Sequence, residues 1–206
     1  MFDIFVVGPI IAILAGINII LHVYLDSKKS KEQGKSVFRE PSVAVPSSAL
    51  VIASLTTLLA FVLVGTFPLA WIASIITSET TYLFYIVELP TGLWISGLVV
   101  LCLGILLHGW ARYVRQEMAS SWAMSEEHRL ITKGPYSRVR HPSYTSYFIC
   151  FIGLFFLLPS LISVFLFVGF WGYNRIAVAE EENLLQHFGG AYSEYVKRTG
   201  RFLPGL

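Results

Sequence analysis

From Tyr144 to Tyr173 the chain runs for 30 residues without one Lys, Arg, Asp or Glu. As a single helix this stretch would be about 45 Å long, well beyond the roughly 30 Å of hydrocarbon in a bilayer. Pro159-Ser160 interrupts it near the middle, and a proline there disfavours helix at the preceding residue. The stretch therefore reads as two helices folded back as a hairpin, with the turn at Pro159 or Ser160. Three further apolar runs precede it: Ile4 to Leu25, with only Asn18 and His22 strongly polar, then Ser48 to Ile76, and Thr91 to Gly109. The first lacks a basic start and a small-residue cleavage pattern, so it reads as an anchor rather than a signal peptide. The second is longer than one straight span needs, and Gly65 and Pro68 offer it a place to bend or end. At 55% hydrophobic, 14% charged and a mean hydropathy of +0.65, the whole is too apolar for a water-soluble domain. The expected fold is an all-α integral membrane protein of about five transmembrane helices, ending in a C-terminal helical hairpin and a cytosolic tail helix.

Charge sets the expected orientation. All 15 Lys and Arg residues fall after the first, third or fifth run, whereas the loop from Thr77 to Pro90 carries Glu79 and Glu88 and no basic residue. By the positive-inside rule the N-terminus is external, and the loop from Arg112 to Ser143 and the C-terminal tail are cytosolic. Cys102 and Cys150 lie inside apolar runs without metal-ligand spacing, so they suggest neither a disulfide framework nor a zinc site. His128, His141 and His187 lack the companions of a metal site, and His22 and His108 read as polar contacts within the bundle. A net charge of +2 with no basic patch interleaved with aromatics argues against nucleic acid as a partner. Two regions follow: residues 1–90, an N-terminal transmembrane region of two spans and loops, and residues 91–206, a core containing the third span, the loop, the hairpin and the tail.

The most chemically varied segment, GPYSRVRHPSY at 134 to 144, lies at a membrane boundary. Gly134-Pro135 favours a turn. Pro142 suits the first turn of a helix, where no backbone donor is needed, so Arg140 or His141 sits near that helix's N-terminus. Such an end presents free N–H groups that favour a carboxylate or phosphate. In the tail, Glu180-Glu181-Glu182 is either a solvated face or a partner for a cationic ligand group. Leu184, Leu185 and Phe188 form one apolar stripe, Gly189-Gly190 a break, and Tyr192, Tyr195, Val196 and Thr199 a second stripe at helical spacing. The second stripe reads as a lid helix.

The ordered set HRLITKGPYSRVRHPSY (128 to 144), a hairpin, the adjacent Glu180 and Glu181, Phe188-Gly189 and YSEYVKRTGRFLP (192 to 204) resembles the isoprenylcysteine carboxyl methyltransferase family and its phospholipid methyltransferase relatives. The likeness covers roughly residues 121 to 206. It implies a membrane-embedded, S-adenosylmethionine-dependent methyltransferase acting on a lipophilic or lipidated acceptor drawn from the membrane lipids. Carried over by position, His128, Arg129, Leu130, Ile131, Tyr136, His141, Pro142, Ser143, Tyr144 and Glu180 would form the cofactor pocket, covered by the tail helix. Arg140 and Arg175 would orient an anionic acceptor. This chain departs from the family pattern in three places. Ser146 stands where glycine is common, Arg175 lies five rather than four residues before Glu180, and the stretch from Trp122 to His128 is short, with Ser121 at a position where some members carry glutamine. Two other functions fit parts of the sequence: an NADPH-dependent reductase related to sterol reductases, and a non-catalytic lipid-binding membrane protein.

Overall fold

The computed structural model describes residues 4–33, 44–77, 89–115 and 129–205. His128, Ser121, Trp122 and most of the loop between the second and third runs, including Glu79 and Glu88, lie outside the described residues. Among the described residues seven α-helices follow in order: α1 (Ile4–Gln33), α2 (Ser47–Thr77), α3 (Thr91–Arg115), α4 (Pro142–Leu157), α5 (Leu161–Phe165), α6 (Val168–Phe188) and α7 (Gly190–Arg198). No strand occurs among the described residues, only one isolated parallel bridge between Val139 and Gly200. Among the described residues four stretches are long and apolar enough to cross a membrane: Ile4–Ser27, Ser47–Thr77, Thr91–Arg115 and Leu161–Phe188, with Pro142–Leu157 a shorter apolar helix between the last two. The chain is thus an all-α integral membrane protein.

α2 runs unbroken through Pro68 to Thr77, so neither Gly65 nor Pro68 ends it. In lipid, neighbouring helices and hydroxyl side chains satisfy the backbone groups a proline frees. Pro159 does break the chain. α4 stops at Leu157, and Ser160 caps α5: its hydroxyl accepts from the Ser163 amide (3.2 Å), and the Ser160 amide donates to the Ser163 hydroxyl (3.0 Å). That reciprocal cap satisfies two otherwise orphaned donors inside an apolar surround. The returning arm of the hairpin is itself broken at Leu166-Phe167, between α5 and α6.

The tightest packing is between α3 and α4, and small residues permit it. A Cβ at Gly153 of α4 would lie 2.6 Å from the backbone nitrogen of Leu101 in α3. Backbone cannot yield as a flexible side chain can. Gly153→Val is therefore expected to lower stability by roughly 1–3 kcal/mol, the usual cost of overpacking, and thermal unfolding in detergent should show a lower midpoint than wild type. An unchanged midpoint would mean the α3–α4 contact is looser than this.

α1 and α3 meet along a polar seam. Asn18 Nδ2 donates to the Ile105 carbonyl (3.3 Å), His22 and His108 stack with ring centroids 5.1 Å apart, and Asp26 pairs with Arg112. The two histidines thus contact each other, with their Nε2 atoms 3.2 Å apart. The core is otherwise built mainly on apolar side chains, with Phe67, Leu101, Phe151, Leu154 and Leu166 all fully buried. Ile13, Ile17, Leu58, Phe61 and Leu69 are exposed, as lipid-facing side chains are.

Candidate functional site

The site begins where a glycine turns the chain. Gly134 takes a φ of +61°, and Pro135 opens a short 3-10 turn over Gly134–Ser137. The chain then runs beside the tail. Arg140 N donates to Gly200 O (2.8 Å), His141 N to Arg201 O (3.1 Å), and Gly200 N to Arg138 O (3.2 Å). Tyr195 of α7 donates to the Tyr136 carbonyl (2.6 Å), and Thr145 of α4 donates to the Phe202 carbonyl (2.8 Å). Loop, tail and the first turn of α4 are therefore one connected body.

Glu181 is the centre of that body. Its Oε1 accepts from Arg140 Nε (2.9 Å), Arg201 Nε (3.1 Å) and His141 Nε2 (3.2 Å), and its Oε2 accepts from Arg201 Nη2 (2.8 Å). Arg140 also donates through Nη1 to the Thr199 carbonyl. On the other side of His141, Nδ1 lies 3.3 Å from Glu180 Oε2, and Glu180 Oε1 accepts from the Tyr144 hydroxyl (2.9 Å). Burial by itself would lower the basicity of the His141 imidazole, but its hydrogen bonds to Glu180 and Glu181 outweigh burial and raise its pKa above the ordinary 6.5. His141 thus bridges two carboxylates. The hydroxyls of Tyr192 and Tyr195 are pushed up, chiefly by burial, so both remain neutral donors.

Around this body lies a cleft of about 70 Å³. Of the residues expected from sequence, Arg129, Leu130, Ile131, Tyr136, Arg140, His141, Ser143, Tyr144 and Glu180 line it. Pro142 starts α4 and is buried, but is not part of the lining. Arg175 is exposed and does not line the cleft. α6 buries Tyr173, Ile176, Ala177 and Glu180, a single helical face, and five residues before Glu180 is a rotation of roughly 140° away from it. The lining also contains Arg115, Leu184, Tyr192 and Tyr195. From sequence, Leu184 reads as part of an apolar stripe and the two tyrosines as part of the lid helix over the pocket, none of them among the expected cofactor-binding residues. Arg115 was missed, and its only signal was a spacing of seven from His108, which puts both on one face of α3. Three polar atoms on the lining are buried without a hydrogen-bond partner: Ser143 Oγ, Tyr192 Oη and Arg115 Nε. Buried polar groups are seldom left so, and here all three belong to residues that line one cleft.

A second, larger cavity of about 420 Å³ lies between α1, α2, α3 and α4. Its lining is almost wholly apolar and includes Ala60, Phe61, Val64, Ile105 and Phe151, with Asn18, His22, His108 and Thr57 as polar members. Tyr147 lines this cavity and Tyr144 lines the cleft. Tyr173 packs against both, with ring centroids 5.2 and 4.7 Å away.

A model of the phospholipid methyltransferase family matches residues 93–191, from the start of α3 to the start of α7. Over 114 residues the chain is 34% identical to the protein-S-isoprenylcysteine O-methyltransferase of Schizosaccharomyces pombe, covering 53% of this chain and 48% of that protein. Over 175 residues it is 31% identical to protein-S-isoprenylcysteine O-methyltransferase B of Arabidopsis thaliana, covering 82% and 88%. The Homo sapiens protein-S-isoprenylcysteine O-methyltransferase is 33% identical over 119 residues, covering 55% and 42%. The chain therefore spans about half the length of the yeast relative, somewhat less of the human one, and most of the Arabidopsis one.

Proposed function

The chain belongs to the protein-S-isoprenylcysteine O-methyltransferase family, among the phospholipid methyltransferases, and from that premise we propose that it methylates the carboxylate of an S-isoprenylated cysteine using S-adenosylmethionine. The observation that carries this reading is the composition of the cleft: one buried carboxylate, Glu180, among four tyrosines, with orphaned donors on the same walls. Acidic and aromatic groups suit a sulfonium and an ammonium, and the free amides at the start of α4 suit the cofactor's carboxylate. When bound, S-adenosylmethionine supplies a methyl group whose bond to sulfur breaks, with the electron pair leaving on sulfur, as the acceptor's carboxylate oxygen bonds to that carbon.

No proton moves in such a transfer, so the residues need only align two reactants and exclude water. Glu180 and Tyr144, hydrogen-bonded to each other on the cleft wall, would hold the cationic end. His141 holds Glu180 in place while tying it to Glu181. Arg129, Leu130 and Ile131 also line the cleft, which would hold the reacting end of the cofactor. His128, outside the described residues, is proposed as a cofactor-binding residue on the resemblance alone. The apolar cavity beyond the tyrosines fits an acceptor that arrives through the bilayer. We place the cleft and the tail on the cytosolic side and the N-terminus outside, on the distribution of the basic residues, and assign the chemistry to residues 91–206. Neither a reductase nor a non-catalytic role draws support from the relatives.

The test is direct. Purified protein in detergent is titrated with S-adenosylmethionine by calorimetry and then incubated with N-acetyl-S-farnesylcysteine, the product being read by mass spectrometry. Saturable binding and a methyl ester are expected. Absence of cofactor binding would rule the reading out.

A further inference from the structure

Two arginines close α3, and they are placed differently. Arg112 is buried and paired with Asp26. Arg115 lines the cleft, is half-buried, and keeps its Nε buried without a hydrogen-bond partner. Among the described residues no carboxylate forms an ion pair with it, although Glu180 lines the same cleft. A guanidinium in a partly desolvated place is costly unless an anion meets it. Its position says which anion. His108, seven residues earlier, lies about 10 Å down the same face of α3 and lines the membrane cavity. Tyr144 and Tyr147 are one turn apart on α4 and belong to the two different cavities. Arg115 therefore stands at the junction of the cleft and the apolar cavity.

We propose that Arg115 holds the anionic head of the acceptor at this junction, a positioning role that rests on the methyltransferase reading above. Arg140 is poorly free to do so, because its Nε and Nη1 are engaged by Glu181 and the Thr199 carbonyl. Arg175 is outside the cleft. On the methyltransferase reading, the first amides of α4, beside the orphaned Ser143 hydroxyl, would hold the cofactor's own carboxylate. The ligand class follows: a single carboxylate on an apolar tail long enough to enter the cavity below.

The experiment compares N-acetyl-S-farnesylcysteine with its neutral carboxamide, measuring binding of each to wild type, Arg115→Gln and Arg115→Lys in detergent without cofactor. S-adenosylmethionine affinity is measured in parallel. Wild type is expected to prefer the carboxylate by about 10- to 100-fold, the worth of a charge-assisted hydrogen bond. The preference should fall to near unity in Arg115→Gln and return in part in Arg115→Lys, while cofactor affinity stays within about threefold, too small a change for a lost direct contact. A preference that survives in Arg115→Gln, one absent from wild type, or a loss that falls on the cofactor instead would each overturn the proposal. Carboxylate preference in a wild-type protein that transfers no methyl would leave Arg115 in place and remove the methyltransferase reading alone.

Discussion

Replacing Glu181 with alanine is expected to lower the thermal midpoint and to weaken S-adenosylmethionine binding by more than about 100-fold, the scale set by stranding a buried charge. Its carboxylate accepts from three side chains on two other segments, Arg140 and His141 of the loop and Arg201 of the tail, and is only 13% exposed. Truncation leaves two guanidinium groups and the His141 imidazole facing one another where an anion stood. Breaking such a pair in a buried setting costs about 3–5 kcal/mol, lessened here because Arg201 is partly solvated. Glu181→Gln, which keeps one acceptor oxygen, is expected to fall between alanine and wild type. Glu182→Ala is the control, since Glu182 is exposed on the same helix. Thermal unfolding and calorimetry on the three variants read the result. If Glu181→Ala and Glu182→Ala behave alike, Glu181 does not organise the site.

Glu180→Gln is expected to act on the ligand more than on the fold. The amide keeps an acceptor for the Tyr144 hydroxyl and nearly the same volume, but it removes the one buried carboxylate on the cleft wall. Loss of a charged partner is worth about 1.5–3 kcal/mol, so affinity for S-adenosylmethionine should fall by roughly 10- to 100-fold. A second ligand separates the two cationic groups of the cofactor. S-adenosylhomocysteine has the ammonium and a neutral sulfur. If Glu180 faces the sulfonium, the variant loses affinity for S-adenosylmethionine and little for the homocysteine analogue. Equal losses place Glu180 at the ammonium. Wild-type affinity for both ligands would exclude Glu180 from the pocket.

The sequence was a good guide wherever the determinant was local. Pro159-Ser160 marked the hairpin turn because proline chemistry acts within a turn of helix, and Gly134-Pro135 marked the turn into the loop for the same reason. The three consecutive glutamates show where such reading stops. They are chemically identical in the sequence, yet Glu180 faces the cleft, Glu181 binds the loop to the tail and Glu182 is exposed. Only the rotation of α6, fixed by its packing, tells them apart. Arg175 illustrates the same limit, since one residue of spacing swings a side chain by about 100°. The backbone pairing of 138–141 with 199–201 was beyond local reading altogether, since it depends on the intervening hairpin returning the chain to its start. His22 and His108 did carry a usable signal: each is followed four residues later by a charge, Asp26 and Arg112, and those charges are opposite. A shared seam between the first and third runs was written there.

The tyrosines between the cleft and the membrane cavity have a consequence for how the reaction is to be quantified. On the proposed reading one reactant is dissolved in three dimensions and the other in two, and the rings of Tyr144, Tyr147 and Tyr173 are the partition at which their supplies meet. Cofactor occupancy then follows molarity in the aqueous phase, whereas acceptor occupancy follows mole fraction in the bilayer. Adding inert lipid at constant protein and constant total acceptor would dilute the second and leave the first untouched, so one turnover would obey two unlike concentration scales.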